Sequence, residues 1–161
     1  MKARHDMITV FVVRPDASGR SHEFLQLRRD RDDYMGGTWQ IIRGGIEAGE
    51  SPVAAALREM REESGLTPLE FYRLSSVESF YTAVDDTLWH SISFCAIVDR
   101  TQPVKLNEEH DDHRWIARSE MDENLMWASE RHLLIDLCRD ILDNGPAKPF
   151  LRIDLPTAGN P

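Results

Sequence analysis

The acidic segment from Gly44 to Leu66 constrains this chain more than any other part of its sequence. Three glutamates of this segment, Glu59, Glu62 and Glu63, fall within five residues. On a helix these positions are three or four residues apart, so their carboxylates share one face. Like charges at that spacing repel, and a hard divalent cation such as Mg²⁺, which takes oxygen ligands, relieves the repulsion. The segment predicts a metal-binding helix face, with a merely solvated acidic face as the alternative.

The limits of this helix are also written in the sequence. Ser51 is suited to cap the N-terminus, and Pro52 suits the first helical position because it lacks an N–H that would need a partner. Gly65 suits the left-handed position after the last turn. The stripe opposite the glutamates is expected to pack on a sheet; it consists of Val53, Ala56, Leu57, Met60 and Ser64.

A glycine-rich loop precedes the helix. Gly44 and Gly45 allow the backbone to approach a phosphate group closely, so both are candidate substrate-binding residues. Glu50 and Arg58 carry opposite charges at the two ends of the loop and helix. We expect them to form an ion pair that fixes the loop on the helix, with Glu50 in a supporting role.

The complete segment resembles the Nudix box, G-x5-E-x7-R-E-U-x-E-E-x-G-U, in which U is a bulky aliphatic residue. Each specified position matches, namely Gly44, Glu50, Arg58, Glu59, Met60, Glu62, Glu63, Gly65 and Leu66. The resemblance to Nudix hydrolases implies an α/β fold, an α/β/α sandwich with a mixed β-sheet between helices. It also implies attack by water on a diphosphate bond, with Mg²⁺ or Mn²⁺ held by Glu59, Glu62 and Glu63. In that reading Glu62 and Arg58 are catalytic; a Nudix fold that binds without hydrolysing is the alternative.

Two further site residues follow from the resemblance. In Nudix enzymes the backbone carbonyl before the first box glycine often joins the metal shell, which makes Arg43 a metal candidate through its main chain. A glutamate from a late loop often completes the site or acts as base, and Glu109 is the candidate, with Glu108 as the second choice. The alternative for Glu109 is an exposed loop acid. The pair Glu109-His110 ahead of a tryptophan resembles the dihydroneopterin triphosphate pyrophosphatase and dATP pyrophosphohydrolase branch.

Outside the box, Arg29 and Trp39 are the remaining substrate-binding candidates. Arg29 ends a predicted strand, where a guanidinium suits phosphate oxygens, although pairing with nearby aspartates explains it equally well. Trp39 either stacks on a flat base or belongs to the core. Met126 and Trp127 precede a predicted helix and either line a base pocket or pack in the core, and the core is favoured.

The remaining elements are predicted from periodicity and turn residues. Strands are expected at 7–13, 22–29, 39–42, 69–81 and 87–99. Residues 107–116 are expected to form an acidic loop followed by a further strand. Strands at 103–106 and 150–155 have less support. A second long helix is expected at 128–143. We expect one Nudix hydrolase domain over 1–161, with 145–161 as a C-terminal tail.

Composition limits the possible partners. The chain has 161 residues and a net charge of −9, which argues against binding a nucleic acid polymer or an anionic membrane. No stretch approaches the roughly 18 apolar residues of a membrane span. The N-terminus lacks the apolar run of a signal peptide. We therefore expect a cytoplasmic enzyme, either monomer or homodimer, with Cys95 and Cys138 as buried thiols.

The expected function is Mg²⁺-dependent hydrolysis of a phosphoanhydride bond in a nucleoside triphosphate or dihydroneopterin triphosphate, which releases pyrophosphate and a monophosphate. The expected partner is thus a small nucleoside or pterin polyphosphate. Two alternatives remain open, a dinucleoside polyphosphate hydrolase and a non-hydrolysing nucleotide-binding regulator on the same fold. Hydrolysis of ADP-ribose ranks lower, because its hydrolases usually have a proline where this chain has the stretch 79–83.

Overall fold

A computed structural model describes residues 1–157 of the chain. Its elements, in order, are β1 (Lys2–Pro15), β2 (His22–Arg29), β3 (Trp39–Gln40), β4 (Ile42–Gly45), α1 (Pro52–Ser64), β5 (Glu70–Thr82), β6 (Thr87–Ile97), β7 (His110–Ala117), α2 (Arg118–Asn124), α3 (Ala128–Leu137), a π-helical turn (Cys138–Leu142), α4 (Lys148–Leu151) and β8 (Arg152–Ile153).

The strands form one eight-stranded sheet, in the order β3-β2-β1-β6-β5-β8. β4 also pairs with β1, and β7 also pairs with β2. The pairing of β1 with β6 is parallel, and the other pairings are antiparallel. The sheet is therefore mixed, as predicted.

Residues of β1 alternate between two separate core clusters on the two faces of the sheet. Phe11 and Val13 pack in the cluster that contains residues of α2 and α3. Val10 and Val12 pack in the cluster that contains the buried residues of α1. Because successive side chains of a strand point to opposite faces, the sheet lies between helical layers, which confirms the predicted α/β/α sandwich.

The limits predicted for α1 are confirmed. Ser51 Oγ accepts a hydrogen bond from the Ala54 amide at 3.2 Å, and Pro52 is the first helical residue. Gly65 ends the helix with a φ of 70°, a left-handed conformation that glycine adopts without steric cost. The caps therefore fix where α1 starts and ends, and Glu59, Glu62 and Glu63 all lie within it.

Other boundaries differ from the predicted ones. The segment 103–106 forms no strand, because it lies along the end of α1, where the Lys105 amide donates to the Ser64 carbonyl at 2.8 Å. The helix predicted at 128–143 changes to π-helical geometry after Leu137, and the Asp143 amide bonds to the Cys138 carbonyl five residues earlier at 2.8 Å. The predicted strand 150–155 shortens to Arg152–Ile153, and residues 158–161 of the predicted tail lie outside the described part.

Two expectations from composition can be compared with the described residues. Cys95 is buried and Cys138 is half-buried, and both are free thiols. Within residues 1–157, no helix has the length and apolar character needed to cross a membrane.

Candidate active site

Arg58 joins the glycine loop to the acidic face of α1. Its guanidinium donates to both carboxylate oxygens of Glu50, each at 2.9 Å, which confirms the predicted pair. It also donates to the Gly45 carbonyl at 2.9 Å and to Glu59 at 2.7 Å. The hydrogen bonds that Arg58 donates to Glu50 and to Glu59 raise the pKa of Arg58, and the bond to Glu50 lowers the pKa of that carboxyl. Arg58 therefore fixes the loop relative to the helix and remains charged.

Glu59 packs directly on the backbone of the glycine loop. A Cβ atom at Gly44 would lie 2.3 Å from Glu59 Cδ, so the Glu59 side chain would have to shift. At Gly45, by contrast, the nearest atom to such a Cβ is 3.9 Å away. Gly44 thus allows the Glu59 carboxylate to lie against the loop, whereas a side chain at Gly45 would displace no such group.

Glu63 is the most deeply buried carboxylate of the helix. Its exposed fraction is only 4%, whereas the Glu62 side chain is 54% exposed. Burial, followed by the charges of Glu59 and Glu109, raises the pKa of Glu63 to about 9, and Arg29 opposes this only in part. The site therefore holds more negative charge than its cations offset.

Glu109 approaches this face from the loop before β7. The loop is held on the other side of the site because the Asp30 amide donates to the Glu109 carbonyl at 2.9 Å. The Glu109 side chain is exposed, and its charge contributes to the raised pKa of both Glu59 and Glu63. The structure thus places the late-loop glutamate within electrostatic reach of the box glutamates.

Arg29 and His110 are paired residues on β2 and β7, next to Glu63 in the wall of a cavity. Arg29 forms an ion pair with Asp33, as in the alternative in which it pairs with nearby aspartates. Its Nε is buried without a partner in the described part of the chain. His110 is buried, and burial followed by the charge of Arg29 lowers its pKa. The acidic segment around His110 gives no indication of this burial in the sequence.

The cavity has a volume of about 510 Å³ and extends from Glu63 between three chain segments. One wall is the loop that contains Tyr34 and Met35, and another is the end of the β5–β6 hairpin, from Phe80 to Asp85. The start of α3, including Trp127 and Glu130, forms the third wall. This size suits a small molecule rather than a polymer.

A buried ionic cluster on the inner wall of the cavity was not predicted. The side chain of Arg43 lies 3.0 Å from Glu78 and 3.0 Å from Glu130. Burial opposes the charge of Arg43, but the two carboxylates outweigh it and its pKa is raised. The predicted role of Arg43 concerned its main chain; its side chain additionally organises this cluster. No local sequence pattern connects Arg43 with these two glutamates, which lie 35 and 87 residues further along the chain.

Trp39 and Trp127, the two tryptophans with predicted roles, have different surroundings. Trp39 contacts two guanidinium groups, with Arg114 at 4.2 Å and Arg28 at 5.6 Å from its ring centre, and it is not among the residues that line the cavity. Its structural surroundings therefore favour packing over base stacking. Trp127 is 49% exposed and does line the cavity, so the preference for a core role was wrong.

The acidic face is suited to a divalent cation. Its donors are carboxylate oxygens, which Mg²⁺ and Mn²⁺ prefer, and the charge around buried Glu63 is not neutralised by the protein. Within residues 1–157, no three acidic, histidine or cysteine side chains are already gathered as a ligand set. Glu59, in addition, is bonded to Arg58. Ion binding therefore requires these side chains to move together.

Comparisons with known proteins agree with this geometry. The model of the NUDIX domain family matches residues 4–137. An octanoyltransferase from Myxococcus xanthus is 36% identical over 61% of this chain, which spans only 28% of that protein's length. An 8-oxo-dGTP diphosphatase from Escherichia coli is 33% identical over 68% of this chain and 78% of its own. A bis(5'-nucleosyl)-tetraphosphatase (asymmetrical) from Sus scrofa is 27% identical over 66% of this chain and 71% of its own.

Solved structures share the fold at low identity. An Ap4A hydrolase from C. elegans, in a binary complex, superposes with a TM-score of 0.67 and 20% identity, over 85% of this chain and 95% of its own. A MutT protein from Methanosarcina mazei superposes with a TM-score of 0.67 and 23% identity, over 87% of this chain and 97% of its own.

Proposed function

Since this chain belongs to the NUDIX domain family, we propose that it hydrolyses a phosphoanhydride bond of a nucleoside triphosphate or dihydroneopterin triphosphate, releasing pyrophosphate and a monophosphate. One observation carries the proposal. The buried, uncompensated carboxylate of Glu63 lies at one end of a cavity of about 510 Å³ that also contains Arg29 and aromatic side chains. Such a cavity accepts a ligand with a charged end and a flat ring.

In this proposal Glu59, Glu62 and Glu63 hold Mg²⁺ or Mn²⁺, and the Arg43 main chain remains a candidate ligand. When bound, the ion neutralises phosphate oxygens and makes water a better nucleophile. Ionisation of Glu63 is needed for this, because its proton competes with the cation at pH 7.

The protein's own groups supply the remaining steps. Glu109, or a box glutamate such as Glu62, accepts the proton of the attacking water, because an exposed carboxylate near the reacting phosphate can act as general base. Arg29 and the amides of Gly44 and Gly45 orient the phosphates. Arg58 acts by positioning Glu59 and the loop, since its guanidinium is already bonded to Glu50 and Glu59.

A dinucleoside polyphosphate hydrolase is the second candidate. Two observations favour it: the tetraphosphatase relative from Sus scrofa, and the exposed Tyr34 and Tyr81 at the cavity mouth, where a second flat ring would find partners. A regulator that binds a nucleotide without hydrolysing it is the third possibility. The 8-oxo-dGTP diphosphatase relative supports the first candidate.

Product analysis separates these candidates. The protein is incubated with Mg²⁺ and, separately, dihydroneopterin triphosphate, dATP, 8-oxo-dGTP and diadenosine tetraphosphate. Pyrophosphate plus a monophosphate supports the proposal, ATP plus AMP supports the second candidate, and binding without turnover supports the regulator. Glu63→Gln is expected to remain folded and to lose turnover by at least about 100-fold, since single groups that stabilise a transition state are typically worth that much. Near-full activity of this variant would overturn the assigned metal site.

A further inference from the structure

The ionic cluster on the inner wall of the cavity has no part in the chemistry proposed at Glu63. Arg43 donates to Glu78 and to Glu130, and the side chains of these two glutamates are 1% and 6% exposed. Burying three charged groups is costly unless their hydrogen-bonding capacity is used. Counting their hydrogen bonds shows which group retains capacity for a ligand.

Glu78 is fully engaged by the protein. Arg43 lies 3.0 Å from each of its carboxylate oxygens. Ser129 Oγ donates to Glu78 Oε1 at 2.7 Å, and Thr9 Oγ1 donates to Oε2 at 3.2 Å. A carboxylate offers about four acceptor positions, so Glu78 has none left. It serves to hold Arg43.

Glu130 is only partly engaged. Its Oε1 accepts from Arg43 at 3.0 Å, and its Oε2 receives a single long contact of 3.4 Å from the Trp127 amide. By the same count about two acceptor positions remain, on a side chain that lines the cavity. A ligand that satisfies them must bring hydrogen-bond donors, and preferably two adjacent ones.

Other groups in the same cavity also have unused hydrogen-bonding capacity. His110 is 7% exposed, and its Nδ1 has no hydrogen bond within the part of the chain that the structure describes. Because buried polar atoms are nearly always paired, the cavity wall has more hydrogen-bonding capacity than the protein itself uses. Glu130, His110 and the buried Nε of Arg29, all in the cavity lining, together indicate a polar ligand.

Aromatic side chains beside Glu130 define the ligand's shape. The ring of Phe80 lies 5.3 Å from Arg43 Cζ and is stacked on Trp89, with ring centres 6.4 Å apart. Half-exposed Trp127 stands three residues before Glu130 on the cavity wall. These aromatic side chains suit a ligand with a flat ring, and Glu130 in the same cavity wall suits a ligand with hydrogen-bond donors.

We infer that Glu130 recognises a ring whose edge carries two adjacent donors, a ring N–H beside an amino group. Guanine, 8-oxoguanine and dihydropterin share this edge, whereas adenine presents an amino donor beside a ring acceptor. The carboxylate of Glu130 accepts both donors, and Arg43, held by Glu78, keeps that carboxylate oriented. This inference rests on the proposed function for the position of the phosphates, and it narrows the substrate class to such rings.

The ligand-side test uses the wild-type protein and needs no variant. Binding of the α,β-imido analogues of dGTP, dITP and dATP is measured by calorimetry with Mg²⁺. Inosine lacks the amino group, so the dITP analogue is expected to bind about tenfold more weakly than the dGTP analogue, and the dATP analogue about 10- to 100-fold more weakly. The dihydroneopterin triphosphate is expected to compete with the dGTP analogue, since it carries the same edge.

The protein-side test replaces the carboxylate. Glu130→Gln keeps an acceptor for Arg43 but adds a donor, so its preference for the dGTP over the dATP analogue is expected to fall at least tenfold. In Glu130→Asp, which retains the charge on a shorter side chain, this preference is expected to fall less than in Glu130→Gln. Glu123→Gln, on the exposed side of α2, is the matched control and is expected to keep the wild-type preference.

The outcomes distinguish this inference from the proposed function. Equal binding of the dGTP and dITP analogues, an unchanged preference in a folded Glu130→Gln, or no binding of any analogue overturns the inference. Hydrolysis of triphosphates without guanine preference leaves the function standing and removes the inference. Guanine-selective binding that depends on Glu130, without any turnover, leaves the inference standing and removes the function.

Discussion

Replacing Glu63 by glutamine is expected to change how the stability of the metal-free protein depends on pH. The pKa of Glu63 rises from 4.5 to about 9 in the folded protein, chiefly because the side chain is buried. Below pH 4.5 both the folded and the unfolded chain carry this proton. Between pH 4.5 and 9 the unfolded chain releases it and the folded chain keeps it, so the stability contributed by protonated Glu63 is progressively lost as pH rises.

The size of the effect follows from the same values. Each pH unit in that window corresponds to about 1.4 kcal/mol, so the wild-type protein loses at most about 6 kcal/mol relative to a non-titrating side chain by pH 9. Water entry and relaxation around the charge reduce this ceiling. Glutamine has nearly the same shape and no titratable proton. The advantage of Glu63→Gln over wild type is therefore expected to be small at pH 5 and to reach several kcal/mol at pH 9.

The assay is urea unfolding followed by tryptophan fluorescence at pH 5, 7 and 9 in the presence of a chelator. Only the difference between variant and wild type is interpreted, because other groups titrate in both. Glu123→Gln serves as the control for loss of an exposed carboxylate. Saturating Mg²⁺ is expected to narrow the difference at pH 9, since a cation stabilises ionised Glu63 but not glutamine. A difference that is the same at pH 5 and pH 9 would refute the assigned burial of uncompensated charge.

Substitutions at three further places test other parts of the site. Gly44→Ala is expected to lower turnover at least about 100-fold because its Cβ would overlap a carboxylate of the acidic face, whereas Gly45→Ala, with the nearest atom 3.9 Å away, should retain most activity; equal kcat values would contradict this. Glu109→Gln is expected to lower kcat about 100-fold and Glu108→Gln less than threefold, and the reverse order would move the base to Glu108. Trp127→Ala is expected to raise KM about tenfold with little change in kcat, because stacking on a flat ring is worth about 1–3 kcal/mol. An unchanged KM would show that Trp127 does not contribute to substrate binding.

Local signals made α1 and its loop predictable. The Ser51 cap, Pro52 and the left-handed Gly65 each act within one turn of the helix end, so sequence alone determines them. The Arg58–Glu50 pair spans only eight residues and also follows from local charge. The sheet between helical layers, by contrast, was predicted from the resemblance of the box to that of Nudix hydrolases.

The rest of the site depends on contacts between distant segments. Arg43 is 35 residues from Glu78 and 87 residues from Glu130, so no local pattern indicates that their side chains meet. The burial of His110 depends on the pairing of β7 with β2. The acidic residues next to His110 in the sequence suggest an exposed position instead. Trp127 looked like a core residue because tryptophan is usually buried, yet its position before α3 exposes it to the cavity.

The helix from 128 onward shows a similar limit. Buried Leu134, Leu137 and Ile141 follow the apolar spacing of the predicted helix, but that spacing does not indicate the change to π-helical geometry after Leu137. That change inserts one residue into the hydrogen-bonding pattern and depends on how the end of the helix packs.

Binding of Mn²⁺ tests the central claim most directly, because the claim is that the acidic face of α1 holds a divalent cation. Free Mn²⁺ is measured by electron paramagnetic resonance during titration of the protein, with an α,β-imido triphosphate present. The wild-type protein and Glu123→Gln are expected to bind the ion equally, and Glu63→Gln at least tenfold more weakly. Equal Mn²⁺ affinity in all three proteins would contradict the account.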